Sequence, residues 1–151
     1  MANTQAMCTS FKGEILTATH NFGTAPVRAA STADTFKAAL YLASATVNAS
    51  TTAYSSTGEV TGTNYTAGGV AVTNATPPAT SGTTAYWTPS ASIVYTNVTL
   101  STAFDAVLIY NSTQSNKSVS VHTFGSQTVT AGTFTLTMPT NDASTGLIRI
   151  A

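Results

Sequence analysis

Residues 104–110 read Phe-Asp-Ala-Val-Leu-Ile-Tyr, and residues 117–123, beyond a short polar turn, read Lys-Ser-Val-Ser-Val-His-Thr. The first stretch is apolar on both faces of an extended chain, which is typical of a central strand. The second alternates polar and apolar side chains, which predicts a strand with one core face and one solvent face. Together they predict an antiparallel sheet with residues 104–110 near its middle.

Other stretches with a period of two occur from residue 35 onward and are separated by turn-forming residues. The further predicted strands are 36–42, 46–54, 69–73, 83–88, 92–100, 127–138 and 146–150. Short strands at spacings near ten residues predict an all-β fold, an antiparallel β-sandwich or jelly roll. Threonine fits this fold because a β-branched side chain suits a pleated strand.

One stretch has a helical period instead. Between residues 4 and 19, apolar side chains recur at steps of three and four at Met7, Phe11, Ile15 and Ala18. We expect an N-terminal helical segment, residues 1–23, that packs on a single β-sandwich domain formed by residues 24–151 or extends from it. Packing on the domain is the favoured alternative, because the helix has one apolar stripe to bury.

The composition limits the possible partners. The 151 residues suffice for one domain, 42% are hydrophobic and only 7% are charged, with five basic and five acidic side chains. A chain without net charge cannot neutralise a row of phosphates or dock electrostatically on an anionic bilayer, so we expect no nucleic-acid and no membrane partner. The single Cys8 excludes an intramolecular disulfide, and residues 1–10 lack the features of a secretory signal, so we expect synthesis in a cytoplasm.

Catalytic chemistry is not indicated. His20 and His122 are the only histidines, the acidic residues are scattered, and no HExxH, CxxC or Gly-x-Ser-x-Gly motif occurs. Two histidines with one cysteine are too few for an ordinary zinc site. We therefore predict no catalytic residues, no metal, no cofactor and no enzyme activity.

The surface suggests partners of another kind. Strand edges in isolated β proteins are usually protected by lysines, inward charges, prolines or bulges, and charges are scarce here. We therefore expect copies of the chain, as a dimer or a trimer, or a larger assembly to cover much of it. The aromatic residues Tyr86, Trp87 and Tyr95 also allow a second interpretation, a platform that stacks on sugar rings, although aromatics in strands are usually core.

Several motifs together resemble a group of small virion structural proteins of tailed bacteriophages. They include DTFK and ALY within residues 34–41, TTAY at 51–54, EV at 59–60, Gly62, Tyr65, Gly68-Gly69, AVLIYN at 106–111, GTFT at 132–135 and LIRI at 147–150. The resemblance covers most of the chain and is weakest at residues 74–92. It implies a structural virion component, most similar to a head decoration or cement protein bound outside an HK97-type shell.

The expected partners are then the major capsid protein and further copies of the chain, and the expected location is the capsid surface of a virion assembled in the bacterial host cytoplasm. The alternative is a host-recognition or glycan-binding module of a phage fibre or tail. We predict interface anchors among the apolar and aromatic residues Phe11, Ile15, Phe22, Tyr86, Trp87 and Tyr95. Asp34 and Glu59 are expected to hold loops through backbone hydrogen bonds, and Gly62, Gly68 and Gly69 to allow turns with positive φ.

Overall fold

The computed structural model describes residues 3–16, 19–20, 22 and 33–151. Within these residues the chain forms one helix and eight strands. In chain order they are β1 (Ala6–Met7), α1 (Thr9–Leu16), β2 (Phe36–Leu42), β3 (Val70–Val72), β4 (Ala79–Ser81), β5 (Thr84–Trp87), β6 (Ile93–Asn111), β7 (Lys117–Leu136) and β8 (Ile148–Ile150). The predicted all-β, sandwich-like fold with one short helix is confirmed.

The larger of two antiparallel sheets is built around β6. Its strand order is β1-β7-β6-β2-β3, so the stretch predicted to be central has neighbours on both sides. Residues 106–110 are all buried, because β2 and β7 pair with β6 and its side chains are covered on both faces. The smaller sheet has the order β4-β5-β8 and joins the C-terminal strand to residues 79–87.

The strands of the central hairpin are longer than predicted. Residues 92–100 and 104–110 were expected as two strands and form one, β6; residues 117–123 and 127–138 likewise merge into β7. The expected break on β6 is a register irregularity between Leu100 and Phe104, across which pairing resumes. The polar residues there create a bulge rather than a turn, because a bulge accommodates extra residues without ending the ladder.

The strand predicted at residues 46–54 is wrong. This stretch forms turns, and only Ala53 makes an isolated bridge, to Lys117. The Asn48 side chain accepts a hydrogen bond from the Ser50 amide at 2.8 Å, and the Asn48 carbonyl accepts one from the Thr51 amide at 3.0 Å. Local bonds of an asparagine therefore prevail over the β propensity of the surrounding threonines.

The helix is shorter than the predicted span of 4–19. Ala6 and Met7 pair with Val121 and Ser120 of β7, and the amide of Thr9 donates to the carbonyl of Ala49 at 2.8 Å. Sheet pairing thus takes the backbone groups that an earlier helix start would need. Helix α1 packs against β7, and Phe11 on it is 1% exposed. Ala18, expected on the same stripe, lies outside the described residues.

The solvent face predicted for residues 117–123 is also wrong. Ser118 and Ser120 are 0% and 3% exposed, although their alternation with valines predicts a polar outer face. The amide of Ser118 donates to the carbonyl of Thr52, and helix α1 contacts the same strand. An alternating pattern therefore identified the strand correctly but not what would cover its polar side.

Candidate functional site

An apolar groove lies between the N-terminal segment and the smaller sheet. Helix α1 with His20 and Phe22 forms one wall, and strands β5 and β8 form the other. The groove encloses about 190 Å³. Its lining consists of Phe11, Ile15, His20, Phe22, Pro78, Ala85, Tyr86, Trp87, Ile148 and Ile150.

Aromatic contacts fix the floor of the groove. Phe22 stacks on Phe36 with ring centroids 4.5 Å apart and an interplanar angle of 19°, and it meets Trp87 edge to face at 4.7 Å. The Trp87 Nε1 donates a hydrogen bond of 3.1 Å to the carbonyl of Thr76, so the one polar atom of the indole is satisfied. The floor is therefore preformed, since its rings have definite partners on both sides.

The rim of the groove exposes apolar side chains. Ile15 on α1 is 36% exposed and Ile150 on β8 is 44% exposed. Among the side chains whose exposure the structure describes, only one other large hydrophobic residue, Val94 on β6, reaches a similar exposure, 41%. Two of these three exposed side chains thus border one cavity, which is the pattern of an interaction site rather than of scattered surface residues.

A polar network lies behind one wall of the groove. The Asn111 Nδ2 donates to Oδ2 of Asp34 at 2.7 Å and is 3.1 Å from Nδ1 of His20. Asn111 and Asp34 are 0% and 7% exposed, and Nε2 of Gln114 donates to Oδ1 of Asp34 at 3.3 Å. This network orients the His20 ring, which also contacts Phe11 edge to face at 4.8 Å.

The groove carries no charged side chain among its described lining residues. Asp34 is not part of this lining and is hydrogen bonded to Asn111, and the described lining residues are aromatic, aliphatic or histidine. The described lining therefore offers a partner apolar burial and shape rather than charge.

Five of the six residues predicted as interface anchors meet at this groove. Phe11, Ile15 and Phe22 lie on the N-terminal wall, and Tyr86 and Trp87 lie on β5. The sequence did not single out His20, Ile148 or Ile150 for this site. The alternation of residues 146–150 predicted a strand at Ile148 and Ile150, but no local signal could show that this strand would face α1.

Tyr95 is not part of the groove. It is 2% exposed on β6, its hydroxyl donates to the carbonyl of Ala38 at 2.8 Å, and its ring faces Tyr65 and Phe134. The prediction of Tyr95 as an anchor is corrected on this ground. Trp87 is also 2% exposed, so the sugar platform suggested for Tyr86, Trp87 and Tyr95 is not formed, because packing covers two of its three rings.

Glu59 holds the loop that follows β2. Its Oε1 accepts hydrogen bonds of 2.8 Å from the Gly68 amide and from the Tyr65 hydroxyl, and its Oε2 accepts one of 2.7 Å from the Tyr54 hydroxyl. The backbone bond agrees with the predicted role, and the two tyrosine bonds are new. Burial, together with the bond to Glu59, raises the pKa of the Tyr65 hydroxyl well above its ordinary value.

The three predicted turn glycines divide into two kinds. Gly68 and Gly69 have φ of 87° and 71°, as expected. Gly62 does not have positive φ, which corrects the prediction for it. A Cβ on Gly62 would instead stand 2.0 Å from the carbonyl oxygen of Thr99, so the position needs glycine because two backbones approach closely.

Ser120 and His122 form a second polar pair. The Ser120 Oγ lies 2.9 Å from Nε2 of His122, and burial lowers the pKa of this histidine to about 4. A base needs a pKa near the working pH and access to substrate, and Ser120 is only 3% exposed. We therefore assign the pair to packing.

The described residues form neither a metal cluster nor a membrane-spanning helix. Within residues 3–16, 19–20, 22 and 33–151 no group of three or more His, Cys, Asp or Glu side chains is placed to hold a metal ion. The one helix described, α1, has eight residues and is too short to cross a membrane.

No family model, no curated protein and no solved structure matches the chain. A functional assignment therefore rests on the groove, with its described lining free of charged side chains and its exposed apolar rim.

Proposed function

We propose that the protein is a structural component of a tailed-phage virion, a decoration or cement protein that binds the outside of an HK97-type head and bridges capsomers. The observation that carries this proposal is the apolar groove with Ile15 and Ile150 exposed at its rim. The resemblance of residues 34–69 and 106–150 to small phage virion proteins supplies the setting. The partner proposed for the groove is an apolar segment of the major capsid protein.

The energetics suit such a role. Covering the exposed parts of Ile15 and Ile150 stabilises a contact by about 1 kcal/mol each, on the usual scale for apolar area. A single contact of this size is weak. On a shell, however, many copies act at once, and each needs to add only a few kcal/mol to hold neighbouring capsomers together.

The charge balance leads to a further expectation. Five basic and five acidic residues leave the chain neutral, and no Asp, Glu, Lys or Arg lies in the described lining of the groove. Attachment through apolar burial is not screened by salt, whereas attachment through ion pairs weakens as the Debye length shrinks. Binding to the shell should therefore persist at high ionic strength.

Co-sedimentation with emptied heads of the phage that encodes the chain tests the proposal. We expect the purified protein to pellet with the heads, to the same extent at low salt and at about 1 M salt, where the Debye length is about 3 Å. Release by moderate salt would contradict the apolar mode of attachment. Failure to bind heads at any salt concentration would contradict the decoration role.

The glycan-binding alternative has lost most of its support, because Trp87 and Tyr95 are buried. Tyr86 is the half-buried member of the set and the one that could still contact a sugar. Binding of the wild-type chain to a glycan, with loss on Tyr86→Ala, would favour a host-recognition module over a decoration protein.

A further inference from the structure

The outer edge of β7 has no strand partner over most of its length. On its inner side β7 pairs with β6 from Lys117 to Leu136, but on its outer side β1 pairs only with Ser120 and Val121. In the part of the chain that the structure describes, no other strand reaches this edge. Residues 125–128, 130, 131, 133 and 135 are exposed along it.

This edge lacks the usual chemical protection. No Asp, Glu, Lys or Arg occurs between residues 118 and 141, and no proline occurs between residues 118 and 138. Natural edge strands are normally guarded by charges, prolines or bulges, because an unpaired row of N–H and C=O groups templates a further strand. Bulges or irregularities interrupt β7 between residues 118 and 120, between 123 and 127 and between 129 and 132. The last of them contains Ala131, whose φ is 44°, and it leaves the residues beyond it unguarded.

Residues 132–136 form an uninterrupted extended run beyond that bulge. Phe134, Thr135 and Leu136 pair in regular register with Tyr95, Val94 and Ile93. The irregularity near Asn97 adds its extra residue to β6 rather than to β7. The run therefore presents an ordered edge of five residues.

The side chains of this run alternate. Thr133 and Thr135 are exposed on the outer face, whereas Phe134 and Leu136 are half-buried on the core face. Phe134 packs against Phe104 at 5.0 Å and against Phe124 at 5.3 Å, so it closes the core at the margin of the sheet. The core side chains Phe134 and Leu136 are thus only partly covered at the edge where a further strand would be added.

We propose that two copies of the chain pair antiparallel through residues 132–136 of β7, about a two-fold axis at Phe134, and so form one continuous sheet. In an antiparallel pair, the side chains of two residues that face each other lie on the same side of the sheet. A two-fold axis normal to the sheet therefore pairs even-numbered residues with even-numbered ones and odd-numbered residues with odd-numbered ones. Centred on Phe134, this register places Phe134 opposite its own copy and Thr133 opposite Thr135 of the second copy. A charge-free strand suits this symmetry, because a charge at the axis would face its own copy.

The second copy pairs backbone groups and covers side chains that one chain alone leaves exposed at this edge. It satisfies the outward backbone groups of residues 132–136 and covers the half-buried side chains of Phe134 and Leu136. Paired threonines across antiparallel strands are favourable neighbours, and this register forms two such pairs. The inference deepens the proposed function and rests on it for its setting, but the surface is separate from the groove.

Charge substitutions at Thr133 and Thr135 test the register. Sedimentation of the wild-type chain at millimolar concentration should give twice the 15.4 kDa mass of one chain. The double variant Thr133→Lys with Thr135→Lys sets lysine against lysine at both pairs, and the variant Thr133→Glu with Thr135→Glu sets carboxylate against carboxylate. Each variant alone should sediment as a monomer, and an equimolar mixture should recover the dimer, because lysine then faces glutamate at both pairs.

The matched control places the same charges on the neighbouring strand. Thr96→Lys with Thr102→Lys adds two lysines to exposed positions of β6, which lies on the inner side of β7, away from the proposed pairing edge, and should leave the dimer intact. A monomeric or trimeric wild type, a lysine variant that remains dimeric, or a mixture that remains monomeric would each overturn the proposal. Recovery in the mixture also shows that both variants are folded.

The two proposals fail in different ways. If the wild-type chain is a dimer but does not bind emptied heads, the pairing through β7 stands and the decoration role fails. If the wild-type chain binds heads but sediments as a monomer, the decoration role stands and the pairing fails.

Discussion

The ring of Phe22 lies edge to face on the indole of Trp87, with the two centroids 4.7 Å apart. This contact joins the segment after helix α1 to strand β5 and creates the floor between the two walls of the groove. The groove therefore depends on the N-terminal segment, and residues more than sixty positions apart in the sequence act as one surface.

Introducing a charge at the rim should abolish binding without unfolding the protein. Ile150→Asp and Ile15→Asp each place a carboxylate where the proposed contact excludes water, so we expect affinity for emptied heads to fall at least about tenfold. Val94→Asp is the control, since Val94 is equally exposed but lies away from the groove. Equal losses for all three variants in a co-sedimentation assay would contradict the role of the groove.

Glu59→Gln should destabilise the fold. The glutamine amide offers one acceptor oxygen where Glu59 offers two, so the hydroxyl of the half-buried Tyr54 or Tyr65 meets a donor instead of an acceptor. We expect the free energy of unfolding to fall by about 1–3 kcal/mol in urea denaturation.

The double variant Glu59→Gln with Tyr54→Phe checks the cause. Removing the Tyr54 hydroxyl removes one donor that Glu59 serves, so the substitution of Glu59 should cost less in this background. An unchanged cost would show that the stability arises elsewhere in the loop.

His122 should make the protein less stable in mild acid. Burial lowers the pKa of His122 to about 4 in the folded state, against an ordinary value of 6.5, so the unfolded chain binds the proton more readily. The free energy of unfolding is unaffected by this group above pH 6.5 and falls between about pH 6.5 and 4, by about 3 kcal/mol.

His122→Gln should remove this part of the pH dependence. Asp142 does not confuse the measurement, because hydrogen bonds from the amides of Thr145 and Ser144 hold its pKa below the ordinary 3.8 and its contribution is lost only at lower pH. Thermal melts of both proteins at several pH values would show the difference. Identical slopes between pH 6.5 and 4 would contradict the assignment to His122.

Gly69→Ala should prevent stable folding. A Cβ at Gly69 would stand 1.7 Å from the carbonyl oxygen of Ala38, and the residue has φ of 71°. The backbone of β2 must then shift, at a cost of about 3 kcal/mol or more.

Gly82→Ala is the matched control for this prediction. Gly82 also has positive φ, 57°, but nothing lies within 4 Å of its Cβ position, so only the conformational cost of about 1 kcal/mol remains. Melting temperatures of the two variants should differ clearly. Equal melting temperatures would show that the close approach to Ala38 is relieved without cost.

Strand positions could be predicted from the sequence where consecutive residues are apolar and both faces of the strand are buried, as in Ala106 to Tyr110. The turn at residues 46–54 could not, because threonine and alanine there match a strand while the decisive hydrogen bonds come from one asparagine. The extent of β6 and β7 was also missed. Polar residues within a long hairpin look like turns when the partner strand is unknown.

The groove was predictable on one side only. Phe11 and Ile15 share a helical stripe that indicates an apolar face. Ile148 and Ile150, which line the same groove, come from the far end of the chain. Burial of Trp87 and Tyr95 was not visible either, since an aromatic residue in a strand has the same sequence signature in a core as on a binding surface.

The location and orientation of the chain in a virion reconstruction test the central claim most directly. We predict density for the protein on the outer surface of the head, across a boundary between capsomers, with Ile15 and Ile150 turned toward the capsid protein. Density confined to the tail or to a fibre tip, or a head-bound copy whose groove faces solvent, would contradict it.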